Sequence, residues 1–155
     1  MAVSVFVCFD PADQEQVVAF NALKSASAHV FDAHDRSIKE TSPDGGERSV
    51  PCPFNDARAK TVRDEITKKM QACDKLVVLV GKDSHKDAWT EWAVNAFHKM
   101  KDTLAPGKAW MRIRAMSLKG YESALSPKAL ESKSTKRLEW AVEILEQWLA
   151  EAPAL

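Results

Sequence analysis

The stretch DSHKDAWTEWAVNAF, residues 83–97, sets a serine, a histidine, two tryptophans and an acid close together where a polar loop turns into a helix. Ser84 can receive a phosphate oxygen, and His85 can carry a proton or touch a ligand. Trp89 offers a flat aromatic face, and Glu91 is a carboxylate of the kind that stabilises a cation. Each residue also has a plainer use. Ser84 can cap the following helix, His85 can sit solvated in its loop, and tryptophans three residues apart commonly pack a core. Asp10 and Asp32, each close behind a strand-like run, suit a ribose hydroxyl as well as the backbone N–H groups of a turn.

These residues gain meaning only if the fold collects them. VSVFVCF, residues 3–9, is a β-branched and aromatic run closed by Asp-Pro, the profile of a buried strand and turn. Residues 13–26 space Val17, Phe20 and Leu23 as one helical face behind a capping Asp13. AHVFDAH, residues 28–34, is a second strand candidate, and the Gly-, Pro- and charge-rich segment that follows reads as a long loop, a candidate wall or lid. A helix with Val62, Ile66 and Met70 on one side is expected to start at Asn55 or Asp56. KLVVLVG, residues 75–81, is too short for a buried helix and reads as a central strand covered on both faces. KAWMRIRAM, residues 108–116, alternates as a fourth strand, and residues 134–151 form a packing helix with Leu138, Val142, Leu145 and Trp148 on its stripe, capped by Ser134 or Thr135. Residues 116–133 are poorly patterned, a possible lid or subunit contact in a homo-oligomer. The alternation of strands and helices predicts one domain over residues 1–155, an α/β doubly wound parallel sheet. In such sheets ligands bind beyond the C-terminal ends of the strands, which gathers Phe9, Asp10, Asp32, His34 and residues 81–92.

Composition narrows the function. The 22 basic and 22 acidic residues cancel, so no long-range field draws the chain to nucleic acid or anionic lipid. There is no run of about 18 apolar residues for a membrane span and no secretory signal pattern. Cys8, Cys52 and Cys73 match no metal or disulfide spacing, as expected of reduced thiols in a cytoplasm. The four histidines form no zinc motif, and no GxSxG elbow, phosphate-binding loop or dinucleotide fingerprint is present. A phospho-acceptor domain of the same architecture would end its third strand in aspartate, where this chain has Gly81 and Lys82.

Taken in order, VFVCFD, FDAHDRS, LVVLVGKDSH and the W..W helix opening resemble the TIR-like proteins of bacterial Thoeris anti-phage defence, over roughly residues 3–115. The resemblance implies a flavodoxin-like fold and an enzyme that takes NAD as substrate, with no separate cofactor. Such an enzyme releases nicotinamide and makes a cyclic or conjugated ADP-ribose messenger that activates a partner effector. On that footing Phe9 and Trp89 flank the rings of NAD, Asp10 and Asp32 approach a ribose, and Ser84 with His85 lie beside the phosphates or reacting sugar.

The resemblance also implies a glutamate directly after the second tryptophan, and that position holds Ala93. Glycosidic cleavage passes through an oxocarbenium-like sugar that a carboxylate stabilises, and a methyl group has no charge to offer. Glu91 is the nearest acid, but two residues along a helix correspond to about 200° of rotation, so it is expected to face away. Three readings stay open: a deliberately inactivated variant, a naturally inactive relative that binds a nucleotide or a protein, or an offset in which Glu91 is the working acid.

Overall fold

The computed structural model describes residues 3–10, 30–34, 36–118, 120–132, 137–138 and 142–150. The helix expected over residues 13–26 lies outside them. The described elements run β1 (Ser4–Cys8), β2 (Val30–Ala33), β3 (Ser37–Thr41), β4 (Glu47–Pro51), α1 (Ala59–Gln71), β5 (Lys75–Val80), α2 (Ala88–Leu104), β6 (Ile113–Ser117), α3 (Lys128–Ser132), β7 (Arg137–Leu138) and α4 (Val142–Ala150). Five strands form a parallel sheet in the order β2-β1-β5-β6-β7. Counting only that sheet's strands, the order is 2-1-3-4-5, the flavodoxin-like arrangement in which the chain reverses direction at the first strand.

The sheet is apolar on both faces because alternate residues of each strand point to opposite sides. Phe6, Cys8, Leu76, Val78 and Val80 join Val62, Ile66 and Met70 of α1 and Val94 and Phe97 of α2 on one side. Val5, Val7, Val77 and Leu79 join Leu145, Trp148 and Leu149 of α4 on the other. All six residues of β5 are buried, as a central strand requires. Truncating Leu76 to alanine would cost about 2–5 kcal/mol by transfer and cavity terms.

Four expectations are corrected. The long loop after β2 contains an antiparallel hairpin, β3 with β4. Its signal is turn chemistry, not apolar period: Gly45 takes φ 86°, and the Asp44 carboxylate accepts the Gly46 N–H at 3.0 Å and the Ser42 hydroxyl. Helix α1 begins at Ala59, with Arg58 in the capping position and no side-chain cap. Asp56 instead accepts the Arg58 N–H at 2.8 Å, tightening the turn before the helix. Ala109–Arg112 form a 3₁₀ turn, so the fourth sheet strand starts at Ile113, and Trp110 and Arg112 do not alternate along it. Leu138 belongs to β7, paired with Met116, and not to a helical stripe; Ser134 and Thr135 lie outside the described residues. Leu145 and Trp148 are buried as expected.

Candidate functional site

Helix α2 starts just beyond the C-terminal end of β5, and its first turn is built by Asp87. The Asp87 Oδ1 accepts the Trp89 N–H at 3.2 Å, and Oδ2 accepts the Thr90 hydroxyl at 2.6 Å. This is an N-cap with a carboxylate at the positive end of a helix, a favourable place for it. Ser84 does not fill that role. Its Oγ is buried, accepts the Gly81 N–H at 2.8 Å and lies 3.5 Å from the Leu79 carbonyl, so it pins the loop to the end of β5.

Arg36 completes the corner. It takes φ 61°, the left-handed region that a non-glycine residue occupies at a cost. Local bonds hold it there: its N–H donates to His34 Nδ1 at 2.8 Å, and its carbonyl accepts the Cys52 N–H at 2.8 Å. Because Nδ1 accepts, the His34 proton sits on Nε2, 2.8 Å from Glu65. The guanidinium pairs with Asp87 and reaches Thr90 Oγ1 at 3.2 Å and Cys8 Sγ at 3.6 Å. Burial alone would lower the pKa of Arg36, but the facing Cys8 sulfur and the Asp87 carboxylate raise it on balance. Burial pushes the Cys8 thiol up, against the pull of Arg36, so this cysteine is a neutral packing group at neutral pH.

In front of this corner lies a cleft of about 630 Å³ lined by Asp10, Arg36, Phe54, Lys86, Asp87, Trp89 and the Pro51–Pro53 turn. That volume lies in the range of small-molecule sites. Trp89 is its fixed wall: the indole donates to the Cys52 carbonyl at 2.9 Å and meets Phe54 and Trp92 edge-to-face at 5.1 and 6.1 Å. The arrangement presents an aromatic surface, two cations and two carboxylates to one space.

The residues singled out in the sequence divide here. Asp10 and Trp89 line the cleft. Phe9 is buried on the α4 side of the sheet. Asp32 is turned to α1, where it accepts Lys69 at 2.9 Å and the Ala33 N–H at 2.8 Å, away from the cleft lining. His85 is half-buried, its Nδ1 enclosed without a hydrogen-bond partner among the described residues. Glu91 points away from 93, as the helical rotation requires, and both its oxygens accept the Ala129 N–H, at 3.1 and 2.9 Å. Ala93 is 3% exposed and borders a small space of about 10 Å³ shared with Cys8, Phe9, His34, Arg36 and Trp89.

Sequence reasoning gave no individual role to Arg36, Asp87, Thr90, Cys52 or Phe54. Asp87 carried a legible signal, an Asp directly before an apolar helical period. Arg36 carried none, since its importance comes from a left-handed turn that closes only in three dimensions. Among the described residues no three His, Cys, Asp or Glu side chains are grouped as metal ligands, and no helix is long and apolar enough to cross a membrane.

The family model described as Thoeris protein ThsB, TIR-like domain, matches residues 6–115, the span from β1 through most of β6. The chain belongs to that family. No curated protein matches the chain. Within the Thoeris TIR-like domain the match ends before α3, β7 and α4, so it covers the strands and the α2 N-terminus that border the cleft.

Proposed function

We propose that this Thoeris TIR-like domain binds NAD or an ADP-ribose-derived nucleotide in the cleft beside Trp89, and that with alanine at 93 it holds the ligand with little or no turnover. The observation that carries this reading is the cleft itself. It lies at the C-terminal sheet edge, with Trp89 and Phe54 as stacking surface and Arg36 and Lys86 as cations for phosphate. In the active form of such a site a carboxylate at 93 stabilises the cationic sugar as nicotinamide leaves. Capture by an internal or second nucleophile then yields the cyclic or conjugated messenger that acts on a downstream effector. Losing one such charge-stabilising group costs about 100- to 1,000-fold in rate.

A second reading is favoured by one observation. Neither Glu91 nor position 93 lines the cleft, which suits a TIR-type binding or interaction module that does not cleave NAD.

The test is incubation of the chain and its Ala93→Glu variant with NAD, following nicotinamide release and product mass. Release from the variant alone supports a messenger-making enzyme disabled at one residue. A glutamate at 93 enters the small space beside Trp89 and Arg36, and turnover in that variant would report that the carboxylate has reached the cleft. Release from both chains that Glu91→Gln abolishes would transfer the acid role to Glu91. Absence of binding and release in both would sink the nucleotide reading.

A further inference from the structure

His34 follows directly on β2, and both nitrogens of its ring are occupied. Nδ1 accepts the Arg36 N–H at 2.8 Å, and Nε2 donates to the Glu65 carboxylate at 2.8 Å. The imidazole is 11% exposed, so little water can take the place of either partner. The exposed Lys39 of β3 and Arg58 of α1 share with His34 the groove that Glu65 lines, and Cys8 and Arg36 share a small space with it. Arg58 is committed to Asp56 and Glu40 at 2.9 and 3.0 Å, and Asp32 on β2 is matched by Lys69 at 2.9 Å. Among the described residues, Glu65 is the charged group that bonds the imidazole.

The two bonds respond differently to a proton. Histidine as a side chain changes charge between about pH 5 and 8. An imidazolium donates from both nitrogens, so the bond to Glu65 survives protonation and keeps the ring aimed at the Arg36 backbone. Nδ1 then carries a hydrogen that faces the hydrogen on the Arg36 nitrogen. The acceptor is lost, and a buried N–H left without one is costly. Arg36 holds φ 61°, outside the regions a residue with a side chain prefers. The N–H bond to His34 and the carbonyl bond to Cys52 are what offset that cost. The same residue carries the guanidinium that pairs with Asp87 and borders the cleft. A swing of φ to negative values carries that group out of the corner.

We propose that His34 is a positioning residue for the cleft and makes it sensitive to pH. The neutral imidazole fixes the Arg36 turn and so sets the guanidinium against Asp87 and Thr90, and a proton on Nδ1 releases it. The Asp87 ion pair and the Cys52 N–H bond oppose the release, so the outcome is a loosened cleft in an intact fold. Its consequence for a ligand rests on the nucleotide reading above, and its consequence for Arg36 does not.

The experiment is nitrogen NMR of the labelled full chain between about pH 5.5 and 8, read at the His34 ring nitrogens and at the Arg36 amide and Nε, with calorimetric titrations of NAD at the two ends of that range. The native chain is compared with His34→Asn, whose side-chain oxygen can stand where Nδ1 stands and does not titrate, and with His34→Leu, which removes the acceptor. At the upper pH the native Nδ1 should carry no hydrogen. On acidification His34 should gain its proton, both Arg36 signals should shift with it, and NAD binding should weaken about tenfold. His34→Asn should keep the upper-pH Arg36 signals and binding throughout, and His34→Leu should show the acid-form signals at both ends. If His34→Leu does not fold, the native and asparagine chains decide. Arg36 signals that follow His34 in a chain that binds no NAD at either pH would remove the nucleotide reading and support the positioning role. That role is overturned by a hydrogen on Nδ1 at the upper pH, by a His34 that keeps one charge across the range, by Arg36 signals that stay fixed while His34 titrates, or by the same shifts in His34→Asn.

Discussion

At the edge where the parallel strands begin, three cations are buried. Lys75 donates to the Trp148 carbonyl at 2.5 Å, Lys101 to the Cys73 carbonyl at 2.6 Å and Arg112 to the Asp74 carbonyl at 3.2 Å. At the edge where the strands end, Arg36 is equally buried, yet its guanidinium bonds side chains: Asp87, Thr90 and Cys8. The first set closes backbone groups left over at helix ends and turns, which any donor of the right length can do. The second matches a full charge to a full charge on the lip of a cleft. Cations bonded to carbonyls mark architecture here, and a cation bonded to a helix-capping carboxylate borders the candidate cleft.

The comparison breaks most sharply at Arg36. Arg36→Met strands the Asp87 carboxylate in a half-buried setting and removes the guanidinium from the cleft. The expected loss is about 3–5 kcal/mol of unfolding free energy, the range for removing one partner of a buried pair, together with loss of nucleotide binding. Urea unfolding and calorimetric titration with NAD check the two effects. A loss below about 1 kcal/mol would place Arg36 with the other buried cations.

Lys101→Met tests the opposite edge. Its stem is already packed, with the ammonium 5.1 Å from the Phe97 ring centroid, and methionine keeps most of that volume. Burial lowers the pKa of Lys101, with Arg112 adding to the effect, so the charged form is held at some cost. The expected change is about 1 kcal/mol or less from the lost bond to the Cys73 carbonyl, with nucleotide binding unchanged. Unfolding midpoints and the same titration measure it.

The same division explains what could be read in advance. The parallel core was legible because KLVVLVG and VSVFVCF carry their burial as continuous apolar runs, and α1 carries its face at Val62, Ile66 and Met70. The hairpin was not, because its order comes from Ser42, Asp44 and Gly45 bonding locally while its strands stay mostly exposed. Trp89 and Asp10, singled out for their place after a strand, line the cleft. Arg36 was hidden, since a left-handed turn after β2 and a partner 51 residues away leave no periodic trace. Asp32 misled for the same reason: its place after a strand was visible, and the Lys69 that claims it was not.

The smallest expected effect concerns the thiols at the two edges. Burial, with Asp32 adding to it and Lys101 opposing, raises the Cys73 thiol from its ordinary value of 9.0 to about 11. A group whose folded pKa is raised contributes stability that is complete below its unfolded pKa and lost as pH climbs to the folded one. Cys73 therefore predicts a decline in melting temperature between about pH 9 and 11. Lys101 acts with the opposite sign, because its folded pKa is lowered: stability missing at neutral pH returns as the unfolded lysine also loses its proton. The two partly cancel in the native chain. Cys73→Ala should flatten the decline, and Lys101→Met should steepen it. Cys8, raised by burial at the other edge, keeps its contribution in both variants. Melting curves at pH 8, 9, 10 and 11 separate these outcomes, and identical slopes in all three chains would remove the thiol at the start of β5 from the account.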